Sequence, residues 1–128
     1  MALLFPQCMV NLSTVQLQRY ITSAQERERE RLAKLAERRR SALSLAKQAA
    51  TLLKEEFGAT QVILFGSLLT EAFHESSDID LAAIGLPENQ YFQAVGRLIG
   101  LGDFDFDLVE VENARPEIAN AINQGVIL

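Results

Sequence analysis

One short pattern constrains the fold and chemistry of this chain more than any other: Gly66-Ser67, ten residues, then Asp78-Ile79-Asp80. The Gly-Ser pair follows the apolar run 62–65, which predicts a turn at the end of a strand. Residues two apart in a strand share a face, so the side chains of Asp78 and Asp80 are predicted to lie together. Paired carboxylates suit Mg²⁺, and a glycine turn can bring backbone amides close to a phosphate. The pattern therefore predicts phosphoryl-group or nucleotidyl-group transfer.

A third carboxylate is predicted from a second acidic run, Asp103, Asp105 and Asp107, which lies in a segment typical of a strand, residues 104–111. Carboxylates on adjacent strands can together hold one or two Mg²⁺ ions. Asp107 lies in the middle of the segment between two apolar residues, so we predict that it joins the first pair. Asp103 and Asp105 are predicted to be solvent-facing acids at the strand edge.

The whole sequence predicts an α/β (α+β) fold: a small mixed β-sheet with flanking helices, plus a long N-terminal helix. Residues 25–57 contain no Gly or Pro and consist mainly of Ala, Leu, Glu, Lys and Arg, which favours a helix that ends at Gly58. Residues 1–11 are predicted to be loosely structured, and residues 12–24 fit a strand or a helix. Further strands are predicted at residues 61–65, 79–84 and 104–111, and helices at residues 68–73, 87–99 and 116–123. We divide the chain into an N-terminal arm and helical extension at residues 1–40 and a second domain at residues 41–128.

Charge is distributed unevenly along the chain. Residues 1–54 contain ten Lys and Arg and four Glu, a net charge of +6, whereas residues 55–128 contain two Arg and thirteen acids, a net charge of −11. Glu and Arg alternate over residues 26–31, which favours ion pairs within the helix over a nucleic-acid-binding stripe. The acidic half would repel nucleic-acid phosphates, so direct nucleic-acid binding is not expected. It is expected to attract cations, either a metal ion or a basic partner.

Several other classes of protein are not expected from this sequence. No apolar run approaches the roughly 20 residues of a membrane span, so no membrane partner is predicted. The first ten residues contain Pro6 and no basic residue, which is atypical of a signal peptide. A single cysteine, Cys8, and a single histidine, His74, exclude an internal disulfide and a zinc cage of Cys and His ligands. The sequence is therefore interpreted as that of a cytoplasmic protein.

The motif resembles that of the minimal nucleotidyltransferases in the DNA polymerase β-like superfamily. The resemblance covers residues 42–128 and includes the Gly-Ser turn, the Asp-x-Asp strand, the later Asp107-Leu108-Val109 and the final Ala121–Leu128 segment. It implies that Gly66 and Ser67 cradle the triphosphate of ATP. It implies further that Asp78, Asp80 and Asp107 ligate Mg²⁺, with Mn²⁺ as an alternative, and that Asp107 helps to deprotonate the acceptor hydroxyl.

Small stand-alone members of this superfamily look like antitoxins paired with HEPN-domain RNase toxins. The resemblance implies an enzyme, a protein adenylyltransferase that transfers AMP from ATP to a hydroxyl of such a toxin, with tyrosine as the expected acceptor. One alternative is a weakly active or inactive antitoxin that neutralises its partner by binding, and a second is a small-molecule nucleotidyltransferase. The N-terminal helix is also a candidate surface for a homo-oligomer, with Val15, Leu17, Tyr20 and Ile21 as contacts.

The chain departs from the family pattern immediately after the Gly-Ser turn. Family members often carry Arg or Lys there, whereas this chain has Leu68-Leu69-Thr70-Glu71, and the next basic residue is Arg97. A triphosphate carries several negative charges, so further positive charge is needed beside it. We predict that Arg97, the N-terminal arm or a partner protein supplies this charge.

Overall fold

The computed structural model describes the backbone of residues 4–128 and the side chains of residues 14–128. Its regular elements are α1 (Leu4–Phe57), β1 (Gln61–Phe65), β2 (Ile79–Ile84), α2 (Tyr91–Ile99), β3 (Phe106–Glu110), α3 (Pro116–Asn123) and β4 (Val126–Ile127). Single turns of 3₁₀ helix lie at Ser67–Leu69, Glu88–Gln90 and Val111–Asn113. The predicted α/β fold with a mixed sheet and a long N-terminal helix is confirmed.

Contacts divide the chain into two compact units, residues 1–36 and residues 37–128. In the first unit, the described side chains of residues 14–34 are exposed, and Arg31 donates to the Glu28 carboxylate at 2.7 and 3.0 Å. The prediction of a loose segment at residues 1–11 is wrong for residues 4–11, which are helical; Met1–Leu3 lie outside the described residues. Pro6 is compatible with this helix because its first turn needs no backbone N–H donors.

The sheet has the strand order β3-β2-β1-β4. Strands β1 and β2 are antiparallel with Phe65 opposite Asp80, and β2 and β3 are parallel with Asp80 opposite Asp107. Strand β4, which the sequence did not predict, pairs antiparallel with β1 through only two residues. The register thus brings the ends of three chain segments together around Asp80.

The core of the second unit lies on both faces of the sheet. Helix α1 buries Ala42, Ala46, Ala49 and Leu53, whose spacing of four, three and four residues follows one helix face. A second cluster consists of Phe65, Ala82 and Ile122, and further apolar residues of β1, β3 and α3 pack against it. None of the helices among the described residues combines the length and apolarity that crossing a membrane requires.

Candidate active site

The Gly-Ser turn follows β1 directly and leads into the single turn of 3₁₀ helix at Ser67–Leu69. Gly66 has φ 85° and ψ −158°, a backbone conformation that is essentially restricted to glycine. The amide of Leu69 donates to the carbonyl of Gly66 at 3.2 Å, and the amide of Thr70 donates to the carbonyl of Ser67 at 2.9 Å. The regular helix here is limited to Ser67–Leu69, so the predicted helix over residues 68–73 is mostly wrong.

The turn and the Asp-x-Asp motif meet at Gly66 and Asp80. A Cβ atom placed on Gly66 would lie 2.0 Å from Oδ2 and 2.9 Å from Cγ of Asp80. Only a residue without a side chain leaves room for the carboxylate against this backbone. The contact follows from the antiparallel pairing of Phe65 with Asp80, which places the residue after β1 beside the start of β2.

The three acids of the second run are placed differently. Asp107 lies within β3, opposite Asp80, so their side chains share a face of the sheet. Asp103 and Asp105 precede β3, and like Asp107 they are exposed; the Asp105 carbonyl accepts a hydrogen bond from the Ile79 amide at 2.9 Å. The register therefore brings Asp107, rather than Asp103 or Asp105, opposite Asp80.

The remaining member of the motif, Asp78, lies one residue before β2 and is exposed. Within residues 14–128, no group of three or more His, Cys, Asp or Glu side chains is clustered closely enough to hold a metal ion by itself. The carboxylates nevertheless lie within electrostatic reach of one another. Partial burial, and then the charges of Asp107 and Asp78, raise the pKa of Asp80 to about 6.

Tyr91 contacts the middle of β3. Its hydroxyl donates to the carbonyl of Leu108 at 2.7 Å, and burial, followed by the charges of Asp107 and Glu110, raises its pKa above the ordinary value. The hydroxyl is therefore protonated at neutral pH and held by the backbone of β3.

We expect Asp80→Asn to stabilise the metal-free protein at about pH 7, where the wild-type carboxylate is ionised. The folded pKa of about 6 exceeds the ordinary 3.8, so the fold loses stability as pH rises through this interval. Because the side chain is half-exposed and screened by solvent, the gain should be only about 1 kcal/mol. Urea unfolding with a chelator at about pH 7 and about pH 3 measures it, and the gain should vanish at the lower pH. Asp103→Asn is the exposed control. A destabilised Asp80→Asn at neutral pH would contradict the raised pKa of the Asp80 carboxylate.

Positive charge beside the turn comes from α1. One terminal nitrogen of Arg39 donates to the Leu68 carbonyl and the other donates to the Thr70 carbonyl at 2.9 Å. The same guanidinium lies 4.9 Å from the ring centroid of Phe73. Arg97, one predicted source of this charge, instead forms an ion pair with Glu56 at 2.8 and 3.0 Å.

The N-terminal arm, residues 1–40, was one predicted source of this charge and contains Arg39. The sequence did not single out Arg39, because its contacts join residues 29 and 31 positions apart. Its neighbour Arg38 stacks its guanidinium 4.2 Å from the ring centroid of Phe104, on the segment that leads into β3. The only local signal was the run Arg38-Arg39-Arg40, and we assigned that run to the arm.

A family model and one solved structure identify the class of fold. Residues 47–128 match the family model described as "Polymerase beta, Nucleotidyltransferase". No curated protein matches the chain significantly. A crystal structure of a mutant of the toxin–antitoxin MntA–HpeT is similar with 23% identity and a TM-score of 0.55, covering 64% of this chain and 70% of that one. A structure described as a candidate minimal nucleotidyltransferase has 25% identity and a TM-score of 0.46, covering 76% and 94% of the two chains.

Proposed function

Because this chain belongs to the polymerase β nucleotidyltransferase family, we propose that it transfers AMP from ATP to a hydroxyl of a partner protein. The observation that carries the proposal is the juxtaposition of Gly66, at the phosphate-binding turn, with Asp80, which has Asp107 opposite it. A glycine turn beside carboxylates suits a reaction in which a metal-bound triphosphate is cleaved.

The chemistry of these residues suits a divalent cation, although within residues 14–128 no three acidic side chains are already clustered closely enough to hold one. Carboxylate oxygens are the donors that Mg²⁺ or Mn²⁺ favours, and partial burial and then the charges of Asp107 and Asp78 raise the pKa of Asp80. Members of the family generally use such an ion with a nucleotide. Asp78, Asp80 and Asp107 would hold the ion. When bound, the ion would neutralise charge on the triphosphate and lower the pKa of the acceptor hydroxyl.

The protein groups have separate roles in the proposed reaction. Amides of the turn and the Ser67 hydroxyl bind phosphate oxygens, while Asp107 accepts the proton of the acceptor hydroxyl. The hydroxyl oxygen forms a bond to the α-phosphorus as the bond between that phosphorus and pyrophosphate breaks. The products are a phosphodiester on the partner and free pyrophosphate.

We propose a toxin as the acceptor, specifically a tyrosine of a HEPN-domain RNase. Support comes from the likeness of fold to the MntA component of a toxin–antitoxin structure, together with the resemblance of the motif to that of small antitoxin transferases. The modified tyrosine would then block RNA cleavage by the toxin.

The direct test is a mass measurement on a co-encoded partner protein after incubation with ATP, Mg²⁺ and this chain. Each transferred AMP should add about 329 Da, and the added mass should be absent with the double variant Asp78→Asn/Asp80→Asn. Calorimetric titration of Mn²⁺ in the presence of ATP, with and without the two substitutions, tests the metal ligands separately. An unmodified partner would refute the proposed transfer. Unchanged Mn²⁺ affinity in the double variant would refute the assignment of the metal ligands.

A second candidate function is neutralisation of the partner by binding alone. It is favoured by the exposed apolar side chains of the first unit: Val15 is 60% exposed, Leu17 53%, Tyr20 73% and Ile21 43%. Exposed apolar groups on an otherwise solvated helix are typical of a protein-binding surface. The same segment is the candidate surface for a homo-oligomer.

We expect removal of residues 1–24 to weaken association with the partner or with a second copy at least about tenfold, because it removes these apolar anchors. Light scattering at several concentrations gives the complex mass, and the double variant Tyr20→Ala/Ile21→Ala should reproduce the loss in the full chain. Gln18→Ala, on the same segment, is the matched control. Unchanged masses and affinities would assign the interface to residues 25–128 instead.

A further inference from the structure

One arginine of α1 binds the backbone directly after the Gly-Ser pair. Arg39 donates to two carbonyls, those of Leu68 and Thr70, which lie one and three residues after Ser67. A planar guanidinium can hold two acceptors in a fixed relative position, which the single flexible ammonium of lysine does less well.

Thr70 links this arginine to the phosphate-binding residue. Its amide and its hydroxyl donate to the Ser67 carbonyl at 2.9 and 3.1 Å, and its own carbonyl accepts from Arg39. The orientation of Arg39 is itself restrained by its stacking on Phe73, a buried side chain. Arg39, Thr70 and Ser67 therefore form one connected hydrogen-bonded chain.

The charge of Arg39 also has a specific use at this position. Residues 55–128 carry a net charge of −11, and their only basic residues are Arg97 and Arg115. Arg97 is paired with Glu56. A bound triphosphate would lie beside several carboxylates, so a permanent positive charge behind the turn lowers the electrostatic cost of binding it.

We propose that Arg39 is a positioning residue for the triphosphate: it fixes the turn over Gly66–Thr70 and supplies positive charge to it. This inference rests on the proposed nucleotidyl transfer. Arg39 precedes the residues that match the family, 47–128, so α1 contributes to the site in addition to carrying the exposed apolar surface. Arg39 is not assigned a catalytic role, because its terminal nitrogens are bonded to backbone carbonyls.

The test compares Arg39→Gln and Arg39→Lys in the full chain with the matched control Arg40→Gln, which replaces the exposed neighbouring arginine. The probe is inorganic triphosphate with Mg²⁺, measured by calorimetry. We expect the Kd for triphosphate to rise at least about tenfold for Arg39→Gln. The rise should be smaller for Arg39→Lys, which keeps the positive charge but cannot donate to both carbonyls in the fixed geometry of a guanidinium. Arg40→Gln should bind like the wild type. In the transfer assay, KM for ATP should rise with Arg39→Gln while kcat changes little, which a general loss of folded protein would not produce.

Amide hydrogen exchange keeps the proposal testable even if Arg39→Gln folds poorly. Exchange at Leu69 and Thr70 should accelerate in Arg39→Lys and stay unchanged in Arg40→Gln. Unaltered triphosphate affinity in both Arg39 variants, or unaltered exchange in Arg39→Lys, would overturn the role of Arg39. If the wild type binds triphosphate in an Arg39-dependent way but transfers no AMP, the positioning role stands and the proposed transfer fails. A wild type that binds no triphosphate refutes both.

Discussion

Asp107→Asn should reduce AMP transfer at least about a hundredfold, the scale of a lost catalytic group. Its carboxylate lies opposite Asp80 on the neighbouring parallel strand, where it can serve both as a metal ligand and as the acceptor of the hydroxyl proton. Asparagine keeps the size of the side chain but removes its negative charge and most of its basicity. The measurement is the initial rate of AMP transfer at saturating Mg²⁺ and ATP.

Asp103→Asn and Asp105→Asn are the matched controls, because they make the same substitution at exposed positions just before β3. Both should retain activity within about threefold of the wild type, as expected for acids outside the reacting centre. If Asp105→Asn were inactive and Asp107→Asn active, Asp105 rather than Asp107 would be the third ligand, and the pairing of β3 with β2 would not identify the metal ligands. Equal effects at all three positions would indicate a general electrostatic role instead.

The two parts of the contact between Gly66 and Asp80 were predicted from local patterns: the glycine turn after one strand and the acids of the next. A strand that ends in Gly-Ser, followed by a short connection to another apolar strand, favours antiparallel pairing that returns the chain to the same edge of the sheet. The two-residue period then predicts which acids of one strand share a face, and the parallel register of β2 and β3 places Asp107 opposite Asp80. These elements could be predicted because side-chain spacing and strand period determine them.

Other features could not be predicted because their causes are non-local. Strand β4 has only two residues and owes its existence to pairing with Ile63 and Leu64 of β1, about sixty residues earlier in the chain. The contact of Arg39 with the turn depends on where α1 packs against the sheet, which no local pattern encodes. The first residues of α1 were mispredicted because their composition favours neither a helix nor a loop strongly. They are helical as an extension of the strongly helical residues that follow them in α1.

The contacts in the structure divide the basic residues of the N-terminal half into two groups with different partners. Sequence alone separated a basic arm from an acidic domain, and the ion pair of Arg31 with Glu28 agrees with charges that compensate within the helix. Arg38 and Arg39, however, belong to the second unit and contact Phe104 and Phe73 there. Part of the basic run therefore serves the candidate site, on the segments that lead into β3 and out of β1.

Gly66→Ala should destabilise the protein by about 3 kcal/mol or more and abolish measurable transfer, because two separate costs fall on one residue. The backbone at φ 85° and ψ −158° is strained for any residue with a side chain. The added Cβ would also lie 2.0 Å from Oδ2, 2.9 Å from Cγ and 3.1 Å from Cβ of Asp80. Rotation of the carboxylate relieves only part of this overlap, and it would move a proposed metal ligand away from its place. Urea unfolding and the transfer assay measure the two effects.

Substitutions at two other glycines and one double variant separate the cost of backbone strain from the cost of overlap with Asp80. Gly58→Ala has a similar φ of 76° but no heavy atom within 4 Å of its new Cβ, so it should cost only the backbone strain, about 1 kcal/mol. Gly96→Ala, in open space on α2, should stabilise by about 0.5–1 kcal/mol. Combining Gly66→Ala with Asp80→Ala removes the clashing carboxylate, so the double variant should be more stable than the sum of the two single effects predicts, by at least about 1 kcal/mol. Strict additivity would show that the Asp80 carboxylate does not lie against Gly66, and the proposed site would lose the contact on which it depends.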